Sequence, residues 1–184
     1  MKWYKKSPPI WFLLISLAGA ILIATLYSVY CGSISYGTIT SVDSDVPIPK
    51  ELGSYKLVEV KLGKEAIDSI SKIHPFISKD PKLEDAMVVI YTSQDEVIHI
   101  YATTFDSKEY ASELVSKMYN SMSLGFSPYT VPHLMNIYNV TVYMGEGMGM
   151  KYIYFVKDDT VVWISYTSGV TLDNEVLRDI LEFI

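Results

Sequence analysis

A run of methionines, three histidines and one cysteine are the residues of this chain best placed to do chemistry. The run is Met144-Gly-Glu-Gly-Met148-Gly-Met150, with His133 and Met135 shortly before it. Thioether and imidazole donors suit Cu(I), and glycines let a loop wrap closely around an ion. His133, Met135, Met144, Met148 and Met150 are therefore the candidate copper ligands. The plainer reading of the same residues is a glycine-rich connection between two strands, with methionines filling gaps in a core. His74 stands before Pro75 at the end of a helical pattern, where a positive charge suits the helix dipole. His99 is expected mid-strand, facing solvent or a neighbouring strand. A single cysteine, Cys31, allows no internal disulfide framework. It reads as a free thiol beside the membrane or a bridge between chains.

The usual catalytic signatures do not occur. No GxxxxGK[ST] or GxGxxG phosphate loop, no HExxH and no GxSxG is present. Asp158-Asp159 reads as a hairpin turn and not as an acid–base pair. The expectation is a non-enzyme with no catalytic residues and no cofactor, copper being the alternative. Asn139-Val140-Thr141 is an N-glycosylation sequon, so Asn139 is a candidate modified residue.

The elements that must position these residues begin with an anchor. Residues 10–30, IWFLLISLAGAILIATLYSVY, contain no charged side chain. A helix of that length crosses a hydrocarbon core of about 30 Å. Lys2, Lys5 and Lys6 precede it, and no Lys or Arg follows until Lys50. The lysine side is expected in the cytoplasm, so the rest of the chain lies outside. Ser16, Ala20, Ala24 and Ser28 recur every four residues with Gly19 beside them. Small residues in register let two helices approach closely in lipid. The expected partners are the bilayer and another membrane subunit, or a second copy, packed through this stripe.

Charge narrows the function classes. Lys and Arg number 15, Asp and Glu 21. All of the acids but only 12 of the bases follow the span, which leaves that part at −9. An acidic domain with one arginine and no basic stripe is not a nucleic-acid binder.

The expected organisation is a cytoplasmic tail over 1–9, a transmembrane helix over 10–30, a Ser/Thr-rich stalk over 31–49 and one domain over 50–184. Tyr55–Leu62 alternates as a strand, with Val58, Val60 and Leu62 sharing a face. Residues 64–74 form a helix through Ala66, Ile67, Ile70 and Ile73. Residues 87–92 and 97–104 form a hairpin. Asp106 and Glu109 make a capping box for a helix with Tyr110, Leu114, Met118 and Met122 on one stripe. Residues 123–138 look irregular. A strand over 140–144, a hairpin over 151–156 and 160–166, and a helix capped by Thr171 complete the chain. The order is β-α-β-β-α-β-β-β-α, an α+β fold with an antiparallel sheet and helices on one face. The expected role is a membrane-anchored accessory or assembly subunit of a membrane complex. The alternatives are a homo-oligomeric cell-surface structural protein and an extracytoplasmic ligand or Cu(I) binder.

Overall fold

The computed structural model describes residues 48–184, apart from 126, 168, 169, 171 and 173. The expected span at 10–30, its Ser16, Gly19, Ala20, Ala24, Ser28 stripe, Cys31, the stalk up to residue 47 and the Thr171 cap lie outside the described residues. Among the described residues no helix is long and apolar enough to cross a membrane.

Two short hairpin turns organise the sheet. Ser93 and Glu96 face each other across Gln94-Asp95, and Lys157 and Thr160 across Asp158-Asp159. Gln94 and Asp158 take positive φ, which matches the twist of a tight hairpin. The elements are β1 (Glu51–Leu52), β2 (Tyr55–Leu62), α1 (Gly63–Ser71), a 3-10 turn (Ile77–Lys79), β3 (Leu83–Ser93) and β4 (Glu96–Phe105). Then come α2 (Lys108–Ser123), β5 (His133–Ile137), β6 (Val140–Gly147), β7 (Met150–Lys157), β8 (Thr160–Thr167) and α3 (Asn174–Phe183). The strands form one sheet in the order β1-β2-β3-β4-β8-β7-β6-β5. Every neighbouring pair is antiparallel. The chain builds half the sheet as a meander and crosses over through α2 to the far edge. It then returns strand by strand until β8 closes on β4.

An antiparallel sheet with helices is therefore as expected, but the helices do not share one face. Side chains alternate along each strand. Val89, Ile100, Ile164 and Ile153 fall in one cross-strand row, and Val176, Leu177 and Ile180 of α3 pack with them. Tyr154 and Trp163 face the other way against α2, and Ala86, Val88 and Ile90 face that way against α1. Among the described residues α1 and α2 cover one face and α3 covers the opposite face. Lys157 Nζ donates to the Leu181 carbonyl at 2.7 Å, which ties the end of α3 to β7.

Several local expectations are corrected. A bulge between Leu57 and Glu59 shifts the β2–β3 register by one residue. Val58 thereby joins the α1 face while Val60 packs on the α3 face. The first helix ends at Ser71, and the His74 backbone N–H, not its ring, donates to the Ile70 carbonyl at 2.8 Å. The N-cap of α2 is Ser107, and no side chain makes the cap bond. Asp106 instead accepts from the Ser107 hydroxyl. The fully buried positions of α2 are Ala111, Val115 and Met122, with Tyr110, Leu114 and Met118 on the flank. Residues 133–137, expected to be irregular, form β5, and β6 runs on to Gly147.

His99 lies mid-strand in β4, half-buried beside Tyr101 with ring centroids 6.1 Å apart. Burial pushes its pKa below the ordinary 6.5, against a pull upward from Glu59. The folded pKa is then below the unfolded one, so the unfolded chain takes up the proton first. The stability given by the neutral ring is complete above pH 6.5 and declines as pH falls through that value. His99→Gln is expected to flatten that part of a urea-denaturation pH profile.

Candidate functional site

The structure divides the expected copper set. His133 and Met144 are direct cross-strand partners on β5 and β6, and Met135 follows two residues along β5. That row continues through Ile153 and Ile164, which places it on the α3 face. Met150 pairs with Gly147, one position out of phase with Met144, and so faces the α2 side. Met148 sits in the turn at φ 55 and is exposed. The five residues do not converge, because strand alternation sends Met144 and Met150 to opposite faces. Among the described residues no group of three or more His, Cys, Asp or Glu could hold a metal ion.

The glycines of the run have a different task. A Cβ on Gly145 would collide with the Tyr152 hydroxyl, and one on Gly147 with the ring and backbone of Tyr129. Neither glycine has positive φ, so the demand is for space and not for backbone freedom. Segment 127–130 lies against β6 at this gap. Thr130 N–H donates to the Glu146 carbonyl at 2.8 Å, and Glu146 N–H donates to Thr130 Oγ1 at 2.9 Å. Tyr152 Oη donates to the Thr130 carbonyl at 2.6 Å. Gly147→Ala is expected to cost about 1–3 kcal/mol, because the nearest backbone atom, Tyr129 Cα, lies only 2.8 Å from the added carbon. A denaturant midpoint checks it.

These contacts close an aromatic layer. Tyr143, Tyr154 and Trp163 form a row across β6, β7 and β8, with Tyr143–Tyr154 centroids 4.8 Å apart and Tyr154–Trp163 5.3 Å apart, both stacked. Tyr152 stacks on Trp163 at 4.9 Å, and Tyr129 meets both edge-on. Such geometries add to simple burial. Tyr152 and Tyr154 are buried, so the layer is core and not an open ligand surface. The Tyr154 hydroxyl has no hydrogen-bond partner among the described residues. Burial pushes its pKa far above the tyrosine range. Tyr154→Phe is expected to leave stability unchanged or raise it by about 1 kcal/mol, since an unsatisfied buried hydroxyl is a cost. Thermal denaturation reads the sign.

What the fold does present outward is an edge. β5 ends the sheet among the described residues, and His133, Leu134, Met135 and Asn136 are all exposed. Val131, Leu134, Met135 and Tyr138 are each more than half accessible. Tyr138 and Asn139 both have positive φ and make a two-residue turn to β6. Pairing that starts from this turn alternates, so Leu134 and Asn136 direct their N–H and C=O groups away from β6. From Met118 to Gly145 the sequence has no Asp, Glu, Lys or Arg. That gap was the available signal for this surface. The opposite edge, β1, is only two residues long and starts with a charge, the usual way of blunting an edge. Asn139 of the sequon is exposed in the turn beside β5.

A shallow depression at Pro49, Asp179, Glu182 and Phe183 borders α3. Its two carboxylates, Asp179 and Glu182, are both paired with Arg178.

No family model matches the chain, and no curated protein matches it. Among solved structures it is similar to the extracellular domain of PknH from Mycobacterium tuberculosis, at 8% identity and a TM-score of 0.40, over 68% of this chain and 75% of that one. Nothing about the function of this chain follows from so slight a likeness.

Proposed function

We propose that the chain is a membrane-anchored, non-catalytic accessory or assembly subunit whose extracytoplasmic domain docks a partner subunit. The observation that carries this reading is the exposed, charge-free edge at β5. An edge strand offers unpaired backbone groups to an extended strand from another chain. The apolar residues of β5 fit a partner strand that is itself uncharged. The span at 10–30 supports the reading by placing the domain beside other membrane proteins, and the Ser16–Ser28 stripe offers a second contact.

Purification of the full chain in mild detergent tests it. A fixed set of different co-purifying subunits is the expected result. Leu134→Lys with Met135→Lys is expected to weaken that association roughly tenfold or more, since two charges would face an apolar partner. Ala20→Leu with Ala24→Leu is expected to weaken it through the membrane contact. Association untouched by either pair would sink the proposal.

Self-assembly is the second reading, favoured by one observation. The part after the span carries a net charge of −9, yet two copies meeting at β5 would set no like charges opposite each other. A ladder of self-oligomers in the same purification would select it.

A further inference from the structure

The turn between α1 and β3 is built unlike the rest of the surface. Its backbone is closely tied. Ile73 N–H and His74 N–H donate to the Ile70 carbonyl at 2.9 and 2.8 Å, and Ile77 N–H to the His74 carbonyl at 3.0 Å. Lys79 and Asp80 N–H groups donate to Phe76 and Ile77 at 3.1 Å. Ile77 is wedged between the clusters under α1 and α2, which pins the turn to the body of the domain. The same turn holds Phe76 out in solvent at 83% exposure, with Ile73 beside it at 53%. A frayed loop can expose an aromatic ring by accident. A turn fastened by these bonds and by the partly buried Ile77 presents it steadily.

Charge around the ring is also out of character. Lys72, Lys79 and Lys82 lie within this turn and are exposed, in a domain with an excess of acid. Its one carboxylate, Asp80, is already engaged, accepting from Tyr110 Oη at 2.6 Å and from the Lys82 N–H at 3.0 Å. Asp106, just before α2, and Glu113 of α2 lie near the Tyr110 hydroxyl, and the Lys82 ammonium sits 4.1 Å over the Tyr110 ring on that side, which leaves Lys72 and Lys79 as the outward charges of the turn. An exposed aromatic ring and isoleucine in a turn that also exposes Lys72 and Lys79 match the two layers of a bilayer surface. The apolar groups fit the boundary of headgroups and acyl chains, and the ammonium groups fit anionic headgroups.

We propose that the 72–82 turn is a second membrane contact, in which Phe76 and Ile73 enter the surface of an anionic bilayer and Lys72 and Lys79 meet its phosphates. This rests on the anchored reading only in bringing the domain near a bilayer. The contact sets how the domain lies on the bilayer, and so where the β5 edge points.

The test uses the full chain in vesicles, with Cys31→Ser and an environment-sensitive dye on Ser78→Cys. The vesicles are phosphatidylcholine alone or mixed with phosphatidylglycerol. In anionic vesicles the dye emission is expected to shift to the blue and to be quenched by spin-labelled lipid. A dye on Asp158→Cys, in the β7–β8 turn, is expected to do neither. Converting Lys72 and Lys79 to Gln is expected to lower the docked-to-free ratio by roughly tenfold or more, and Phe76→Ser to remove the quenching. A Ser78 dye that stays in water in both vesicles overturns the proposal. So does protection in native membranes but not in protein-free vesicles, which would assign the turn to a protein partner. Flotation after alkaline carbonate washing reports insertion of the span separately, and the dye reads the turn whether or not the span is inserted.

Discussion

Tyr152→Ala is expected to lower folding stability by about 3–5 kcal/mol, measured by urea denaturation with tyrosine and tryptophan fluorescence. Tyr152 is 1% exposed and occupies the space left by Gly145. It stacks on Trp163, and its hydroxyl holds the Thr130 carbonyl. Truncation opens a cavity that β6, β7 and α2 cannot close, since each is held by its own sheet or core contacts. It also releases segment 127–130, the lead-in to β5. Tyr152→Phe keeps the ring and loses one hydrogen bond, so its cost is expected near 1 kcal/mol. Equal effects from the two substitutions would show that the ring stack contributes little. If the large loss occurs, hydrogen exchange in β5 is expected to rise with it, because the edge strand depends on this clasp for its approach.

Ile180→Ala is the second large effect, about 2–5 kcal/mol. Ile180 is fully buried at the centre of the α3 contact and packs into the cluster containing Val89, Ile100, Ile153 and Ile164. These residues come from four strands, so the loss is felt across the sheet. Leu181 and Leu172 are only partly buried beside it and should each cost less. Arg178 lies on the outer side of α3 among Glu175, Asp179 and Glu182. Exposed pairs of this kind contribute little, so Arg178→Ala is the natural control. A shift for Ile180→Ala no larger than for Arg178→Ala would mean that α3 is not docked as described.

The hairpins over β3–β4 and β7–β8 were legible in the sequence because their information is local. A short polar turn between two β-rich segments specifies both the reversal and the register. Helices α1, α2 and α3 were legible from their apolar spacing, though their ends were not. β5 was missed for a physical reason. A strand with both sides exposed has no buried face, so His133-Leu134-Met135-Asn136-Ile137 carries no period to read. The bulge in β2 was also invisible, since one extra residue changes the face of Val60 without changing any residue type. The methionine and glycine run shows the same limit. Composition suggested a soft-metal loop, whereas register placed its residues on two faces and gave the glycines a steric role. The open edge did leave a trace, the absence of charge from Met118 to Gly145.

What the sequence by itself determined is what depends on near neighbours and on bulk composition. That includes the uncharged stretch at 10–30 behind three lysines, the acidic excess after it, the hairpin turns and the amphipathic helices. Only the tertiary structure decided which face each helix covers, which strand is left at the open edge, and that Phe76 stays outside the core. Those features depend on which distant segments are brought side by side. Amphipathic spacing says that a helix has an apolar side, but the side of the sheet it meets is set by the path of the whole chain.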